Sequence, residues 1–593
     1  MRLNPTLVYL YSVVLSLVIV AGVLQIWRAD PHVPLAYEWR DLKQGGDAID
    51  PIGSNDAILF YGLFKGISEN GWYLHNPDVG MPSGLNMHDY PMADSLHFFL
   101  IKALCYLTSD FFIATNIYFL VGFPLTALTT LFALREFKIS DPLALVCSLL
   151  FTFLPYHFLR GEQHLFLASY FLVPLMLTVI LWAINKESLF IFPSRGGWFP
   201  SNISTKGWWS LFICFLIGCG GVYYALFGVF FLAIGALIYQ RGWKAVFPSF
   251  VFIGVIFMTL ITNIIPTILF VVSHGRNLSV ADHLKADGEI YGLKLIQMLN
   301  PVMHHRIVAF SDFSHYYYTH APLVTENVTA TLGFVGSAGF MALVFWQLGL
   351  RWRTKNDRLL TQLSTMNLAA VLLATVGGFS SVLCFGISPL VRCYNRMSVY
   401  IELFALLALA LTLERQRPGA EKKNSSRVAW IICLVTLLGI GIFDQTTNFF
   451  IPPYEQSSAS FNNDKNFVHR IESEVPAGSM IFQLPYIPFP EGRPGGLSLF
   501  RPYLHSRQLR WSYGSLPGRE GDEWVRNVAF ADGNLAGIVH RIVAKGFMGI
   551  YIDRALMPEH EQVEDELSKI VGAAPIVSEN GRQAFFSFQK GIQ

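Results

Sequence analysis

The sequence predicts a polytopic α-helical membrane protein, with about eleven transmembrane helices and a C-terminal α/β domain outside the membrane. Composition is the first reason. Of 593 residues, 53% are hydrophobic and only 14% charged, which leaves too little polar surface for a soluble chain of this length. The second is a series of apolar runs of helix length, too continuous for the one-sided stripe of a soluble amphipathic helix. The third is a change of character after residue 443, where apolar residues shorten into brief stretches divided by Pro, Gly and charge.

Each span needs about 20 mainly apolar residues, because lipid offers no partner to backbone N–H and C=O groups. The runs at 7–27, 111–134, 143–159, 165–183, 208–219, 222–239, 246–272, 330–350, 363–385, 397–413 and 428–443 meet or approach that length. Gly220 and Gly221 separate the fifth from the sixth, which reads as two helices meeting at a tight outer turn. A single bent helix is the rival there, and it would invert everything that follows.

Orientation follows from the basic residues, which favour short cytoplasmic loops. Arg135 and Lys138, Arg241 and Lys244, the run Arg351, Arg353, Lys355 and Arg358, and the stretch from Arg415 to Arg427 fall on one side when the N-terminus is inside. The segments on the other face are mildly acidic, and all 16 His lie there or at helix ends facing it. The apolar stretch after Met1 is too long for a signal peptide and no small-x-small site follows it, so it is expected to remain as the first helix. The seven Cys form no CxxC pair, and neither a disulfide framework nor a zinc site is expected. This places a multi-pass protein in the plasma (inner) membrane, with the C-terminus out and no nucleic acid as partner.

Residues 1–443 then form a transmembrane unit with large outer loops at 28–110 and 273–329, and residues 444–593 an outer domain. Within the first loop, residues 57–68 carry helical spacing after Ser54 or Asn55 as N-caps, and 96–107 is amphipathic. In the last region, 480–485, 549–553 and 584–588 read as strands, and 465–474, 535–545 and 561–570 as helices.

Chemistry-bearing residues gather on the outer face. The first loop contains Gly53-Ser54-Asn55-Asp56-Ala57-Ile58-Leu59-Phe60, and further on Asp89 and Asp94. The next outer turn reads Pro155-Tyr156-His157-Phe158-Leu159-Arg160-Gly161-Glu162-Gln163-His164. Arg276 ends the seventh span, while Arg392 and Arg396 precede the tenth. Outer arginines run against the inside-positive bias, and a planar guanidinium suits phosphate. Glu402 lies inside a span, where a carboxylate is costly and needs a partner. The loop 273–329 adds Glu326, six histidines and Tyr316-Tyr317-Tyr318. Each has an ordinary alternative: a helix-cap aspartate, solvated loop acids, snorkelling arginines or a structural ion pair.

The order of these features resembles the GT-C superfamily of membrane glycosyltransferases, particularly its bacterial YfhO-like and protein-mannosyltransferase-like members. The resemblance covers the whole architecture through short motifs. It implies a sugar carried on a polyprenyl phosphate and moved, with inversion, to an extracytoplasmic glycan, lipid or protein acceptor. An acid of the first loop acts at the acceptor, which points to Asp56, with Asp89 behind it and Glu162 from the next turn. Arg160, Arg276, Arg392 and Arg396 are the candidates for the carrier phosphate, with His157 beside them. Some members place an acid-x-acid metal pair in the second turn; here Glu162 is followed by His164, so a divalent Mg or Mn ion would rest on those two. A lipid-linked sugar flippase or an envelope assembly protein is the alternative, although no inverted repeat accompanies these residues.

Overall fold

A computed structural model describes residues 5–38, 56–185, 187–193, 197–280, 283–350, 357–419, 424–492, 495–530 and 535–588. Among them, seven helices are long and apolar enough to cross a membrane, from Thr6–Leu24 through Asn424–Gln445. The four remaining apolar runs fall on shorter helices at Val173–Ile184, Thr205–Cys219, Gly333–Gln347 and Arg358–Ala374. The chain is a multi-pass membrane protein.

Two runs expected to be continuous are broken. The run at 165–183 is helical at Leu165–Ala168 and again at Val173–Ile184, because Pro174 supplies no N–H and so fits only in the first turn of a helix, where the second one begins. Inside the break, Tyr170 donates its hydroxyl to Phe151 O at 2.9 Å, so the irregular backbone is tied to the neighbouring helix. The run at 363–385 stops at Ala374 and resumes at Phe379, across Gly377 with a φ of 73°. Ser54 and Asn55 lie outside the described residues.

Helices Thr205–Cys219 and Val222–Tyr239 are two antiparallel helices and not one bent one. Ser204 N donates to Leu189 O at 3.1 Å, whereas a Cβ on Gly220 would lie 2.9 Å from Leu172. The following helix runs back past the same neighbour: a Cβ on Gly228 would meet Met176, and one on Gly235 would meet Ile184. Gly221, with a φ of 100°, makes the reversal where a side chain would be strained.

Backbone-to-backbone packing recurs in the bundle. A Cβ on Gly339 of Gly333–Gln347 would stand 2.4 Å from Ala405 O of Ser398–Glu414, so only glycine lets these helices approach so closely. One turn earlier, Gly336 faces the Glu402 carboxylate, which is wholly buried and has no partner for either oxygen among the described residues. The partner expected for this intramembrane carboxylate is therefore not found among the described residues.

The last part of the chain forms a five-stranded mixed sheet in the spatial order Arg510–Trp511, Met480–Leu484, Phe547–Asp553, Gln583–Ser587, Ile576–Val577. The first three run parallel, and Gln583–Ser587 is antiparallel to both of its neighbours. All three expected strands are present, and the expected helices appear at Tyr454–Glu474, Leu535–Ala544 and His560–Val571. Alternation along the strands divides the sheet into two apolar faces. Phe482, Ile550, Ile552 and Phe586 pack with the helices that connect the strands, while Ile481, Trp511, Tyr551 and Phe585 join a core shared with the first insert.

That insert comprises helix Ala57–Asn70, the hairpin of His75–Asn76 with Leu85–Asn86, and helix Ser95–Thr108. Its loop adds to the sheet edge, with Met81 N donating to Trp511 O and Trp511 N to Asp78 O. A buried polar network holds the turn segment 33–38 ahead of helix Ala57–Asn70. Arg501 binds Glu38 at 2.8 Å and Tyr37 O at 3.0 Å, and the Tyr37 hydroxyl donates to Asp464 at 2.6 Å. Each buried charge has an opposite charge and hydrogen bonds, the condition for tolerating it away from water.

Gly339→Leu is expected to lower the melting temperature of the purified protein in detergent, by an overpacking cost of about 1–3 kcal/mol. Gly254→Ala, where an added Cβ meets nothing within 4 Å, serves as the control and should melt with wild type.

Candidate functional site

Three short irregular segments meet beneath the insert: the helix end Pro155–Arg160, the turn Thr325–Ala330 and the turn Tyr394–Met397. Each is a place where regular backbone stops, so side chains converge from three directions. Arg160 Nη1 lies 2.5 Å from Glu326 Oε2, and Arg396 Nη2 lies 3.8 Å from the same oxygen. Asn395 accepts a bond from Arg160 Nη2 at 3.4 Å, and the Arg396 guanidinium sits 4.0 Å from the centre of the Tyr223 ring. Burial alone would raise the Glu326 carboxyl, but the two arginines hold it well below its ordinary value. Two guanidiniums share one carboxylate, and Nε of each is buried with no partner among the described residues. The cluster is suited to a further anion.

Asp56 stands at the first turn of Ala57–Asn70 but does not cap it with its side chain. Its Oδ2 lies 3.3 Å from His164 Nε2 instead. Burial, with Arg160 nearby, holds His164 down to about 3, so the imidazole is neutral and donates when its proton is on Nε2. Burial and the charge of Glu326 raise Asp56 to about 6, against the pull of Arg160 and Arg396. Protein packed on its other sides disfavours the charge, but 46% of the side chain's own surface stays accessible, so a substrate can reach it. A carboxylate with this value, open on one side, can take a proton near neutral pH.

A cavity of about 190 Å³ adjoins this pair, lined by His164, Arg396, Asp94, Phe166, Tyr223 and Tyr224 among others. Asp94, a candidate acid of the first loop, lies in this wall, and Tyr223 and Tyr224, which sequence reasoning did not single out, complete it. The signal available was the Gly220-Gly221-Val222-Tyr223-Tyr224 stretch, legible as a helix break and not as a lining.

The other candidates separate from the cluster. Glu162 accepts from the Tyr61 hydroxyl at 2.6 Å and from Ala36 N at 3.2 Å, and burial raises it to about 7 against those bonds. His164 turns to Asp56, so the two residues expected to share a metal face different partners. Among the described residues no group of three or more His, Cys, Asp or Glu side chains converges to hold an ion. His157 is buried in the bundle, stacked 3.8 Å from Phe123, with Nδ1 at 3.1 Å from Thr152 O. Arg392 pairs with Asp287 at 2.8 Å. Arg276 is exposed just beyond Trp243–His274 and has no hydrogen bond or ion pair among the described residues. Asp89 makes a bidentate pair with Arg519, at 2.6 and 2.7 Å, and accepts from Asn277 at 3.2 Å. Arg519 also donates to Gly275 O, so this pair clasps the insert, the long helix end and the segment after the sheet edge.

No protein-family model and no curated protein matches the sequence. Solved structures match in shape. ArnT from Cupriavidus metallidurans bound to undecaprenyl phosphate gives a TM-score of 0.51 at 10% identity, and its apo state 0.50 at 9%, each over 98% of both chains. The arabinofuranosyltransferase AftD from Mycobacteria gives 0.56 at 12% identity over 100% of this chain and 40% of its own length. The fold is that of the GT-C glycosyltransferases. This chain spans 40% of the AftD chain but 98% of ArnT, so it is similar to one part of the first and to nearly all of the second. Within the GT-C fold, the arginine cluster and Asp56 sit where the first insert meets helix ends of the bundle.

Arg519→Ala is expected to strand the buried Asp89 carboxylate at a cost of about 3 kcal/mol. Burial alone would raise Asp89, but the Arg519 bonds and Asn277 hold it below its ordinary value. The stabilisation is therefore present above the ordinary carboxylate pKa and fades as pH falls through the lower folded value. Melting temperatures of the two proteins, measured down a pH series, should converge at the acid end.

Proposed function

We propose that this chain transfers a sugar from a polyprenyl-phosphate carrier to an acceptor hydroxyl on the extracytoplasmic side, with inversion at the anomeric carbon. The observation that carries the reading is the position of Asp56, an accessible carboxylate held by His164 and next to a buried cluster of two arginines sharing Glu326. A proton acceptor and an anion site side by side are what displacement of a phosphate by a hydroxyl requires. The GT-C fold supports it, as does the ArnT structure, whose bound lipid is undecaprenyl phosphate.

In the reaction, the acceptor oxygen forms a bond to the anomeric carbon while its proton passes to Asp56. The bond from that carbon to the phosphate oxygen breaks, and the carrier phosphate leaves with the electron pair. Arg396 and Arg160 neutralise the charge gathering on that phosphate, so the leaving group needs no strong acid. Glu326 keeps the two guanidiniums in place and His164 orients Asp56. No step is routed through a metal, because the donors at Glu162 and His164 are directed apart.

We place the N-terminus inside and the site, the inserts and residues 444–593 outside the plasma membrane, on the basic bias of the inner loops. The four shorter helices then cross the bilayer with the other seven, giving eleven spans. Residues 1–443 form the transferring unit, and 444–593 an outer domain that supports the first insert through the Arg501 network. The acceptor is a glycan, lipid or protein.

Reconstituted wild type incubated with polyprenyl-phosphate sugars and an envelope extract supplying acceptor hydroxyls should release free carrier phosphate, and Asp56→Asn should lower kcat by about a hundredfold or more. Because Asp56 acts as a base with a raised value, kcat/KM should rise with pH and level off above about 6. Unchanged release by Asp56→Asn would refute its role. Arg396→Lys should weaken carrier binding, since a point charge replaces a planar fork.

A further inference from the structure

The proposed transfer leaves one carboxylate of the site unused. Asp94 precedes helix Ser95–Thr108 but makes no side-chain cap bond to it. It faces the cavity beside the Asp56–His164 pair, and no hydrogen bond or ion pair joins its side chain to any described residue. Gly221 brings bare backbone against it, since a Cβ there would fall 2.8 Å from Asp94 Oδ1. His97 fixes that wall: its ring stacks 4.8 Å from Phe166, Nε2 lies 3.2 Å from Gly220 O, and Nδ1 faces the Tyr118 hydroxyl at 2.5 Å. Burial without compensating donors raises the Asp94 carboxyl to about 7, with Arg396 pulling the other way. The other titratable groups lining the cavity are His164, Tyr223 and Tyr224.

A cavity with aromatic walls and one unpartnered acid is built for a ligand with an apolar face and hydroxyl donors. Its position fixes which part of the substrate that is. Arg396 belongs both to the arginine cluster and to the cavity lining, so a group linked to a phosphate at Arg396 lies in the cavity. We infer that the cavity holds the transferred sugar of the donor, and that Asp94 accepts hydrogen bonds from its hydroxyls and so selects which sugar is taken. This rests on the glycosyl transfer proposed above. Asp94 is then a specificity-determining residue, separate from the proton transfer at Asp56, and His97 positions the Gly220-Gly221 turn against it.

The test uses the full chain in lipid nanodiscs, with undecaprenyl phosphate alone and the same lipid carrying glucose, galactose or arabinose as probes, and an envelope extract as acceptor for the turnover measurements. Wild type should bind and turn over one sugar-bearing lipid in preference to the others. Asp94→Ala should weaken that lipid by roughly tenfold or more, the loss of hydrogen bonds to a charged group, and leave the bare carrier phosphate unchanged. Asp94→Asn, which keeps one acceptor and the shape, should fall between them, raise KM more than it lowers kcat, and narrow the preference among the three sugars. Equal weakening of bare and sugar-bearing lipid, or no change in either, overturns the role of Asp94 alone. Failure of wild type to use any of the three sugar-bearing lipids, while binding the bare phosphate no better than Arg396→Ala does, overturns the transfer reading and the sugar cavity with it.

Discussion

The site depends on one shared carboxylate. Glu326 lies between two guanidiniums that come from different parts of the chain, Arg160 at the end of an early helix and Arg396 in the turn before a late one. Neither cation would be tolerable at that depth without it, since a buried charge must be paired and hydrogen-bonded. One carboxylate for two cations leaves an excess of positive charge, and the buried Nε donors remain unused. The pairing that makes the two buried cations tolerable therefore also leaves donors of a kind suited to an anion.

The surroundings prepare the groups in opposite senses. Burial drives His164 to its neutral form and raises Asp56 and Glu162, while the arginines hold Glu326 ionised. Three acids within one region thus receive different roles from their neighbours alone. Glu162 is occupied by Tyr61 and backbone, Glu326 by arginine, and Asp56 keeps an accessible face.

Support from outside the bundle is polar and long-range in sequence. The Arg501–Glu38–Tyr37–Asp464 network fixes the turn segment at the start of the first insert, and the Asp89–Arg519 clasp fixes its far side. The Trp511 face of the sheet packs into the same core as the insert. Helix Ala57–Asn70, which carries Asp56 at its start, is thereby held from the sheet side as well as from the membrane side, and the position of one catalytic candidate is set by residues some four hundred positions downstream.

Much of the fold was legible without coordinates. Every apolar run carries helix, some of them with a break, because backbone groups in lipid must be satisfied within the segment, and length and composition carry that requirement locally. Short apolar runs divided by Pro, Gly and charge marked the three longer strands, and the Gly220-Gly221 pair marked a chain reversal. Residue type also singled out Asp56, His164, Arg160, Glu326 and Arg396, since charge near the membrane is expensive wherever it occurs. What the sequence could not contain was their pairing. Arg160, Arg392, Arg396 and Arg276 look alike as outer arginines, yet two converge on Glu326, one binds Asp287 and one faces solvent. Asp89 and Asp94 are five residues apart in one loop, yet one is neutralised by an arginine from beyond the sheet edge and the other lines a cavity. Those assignments depend on contacts between segments hundreds of residues apart, and only the packed chain decides them.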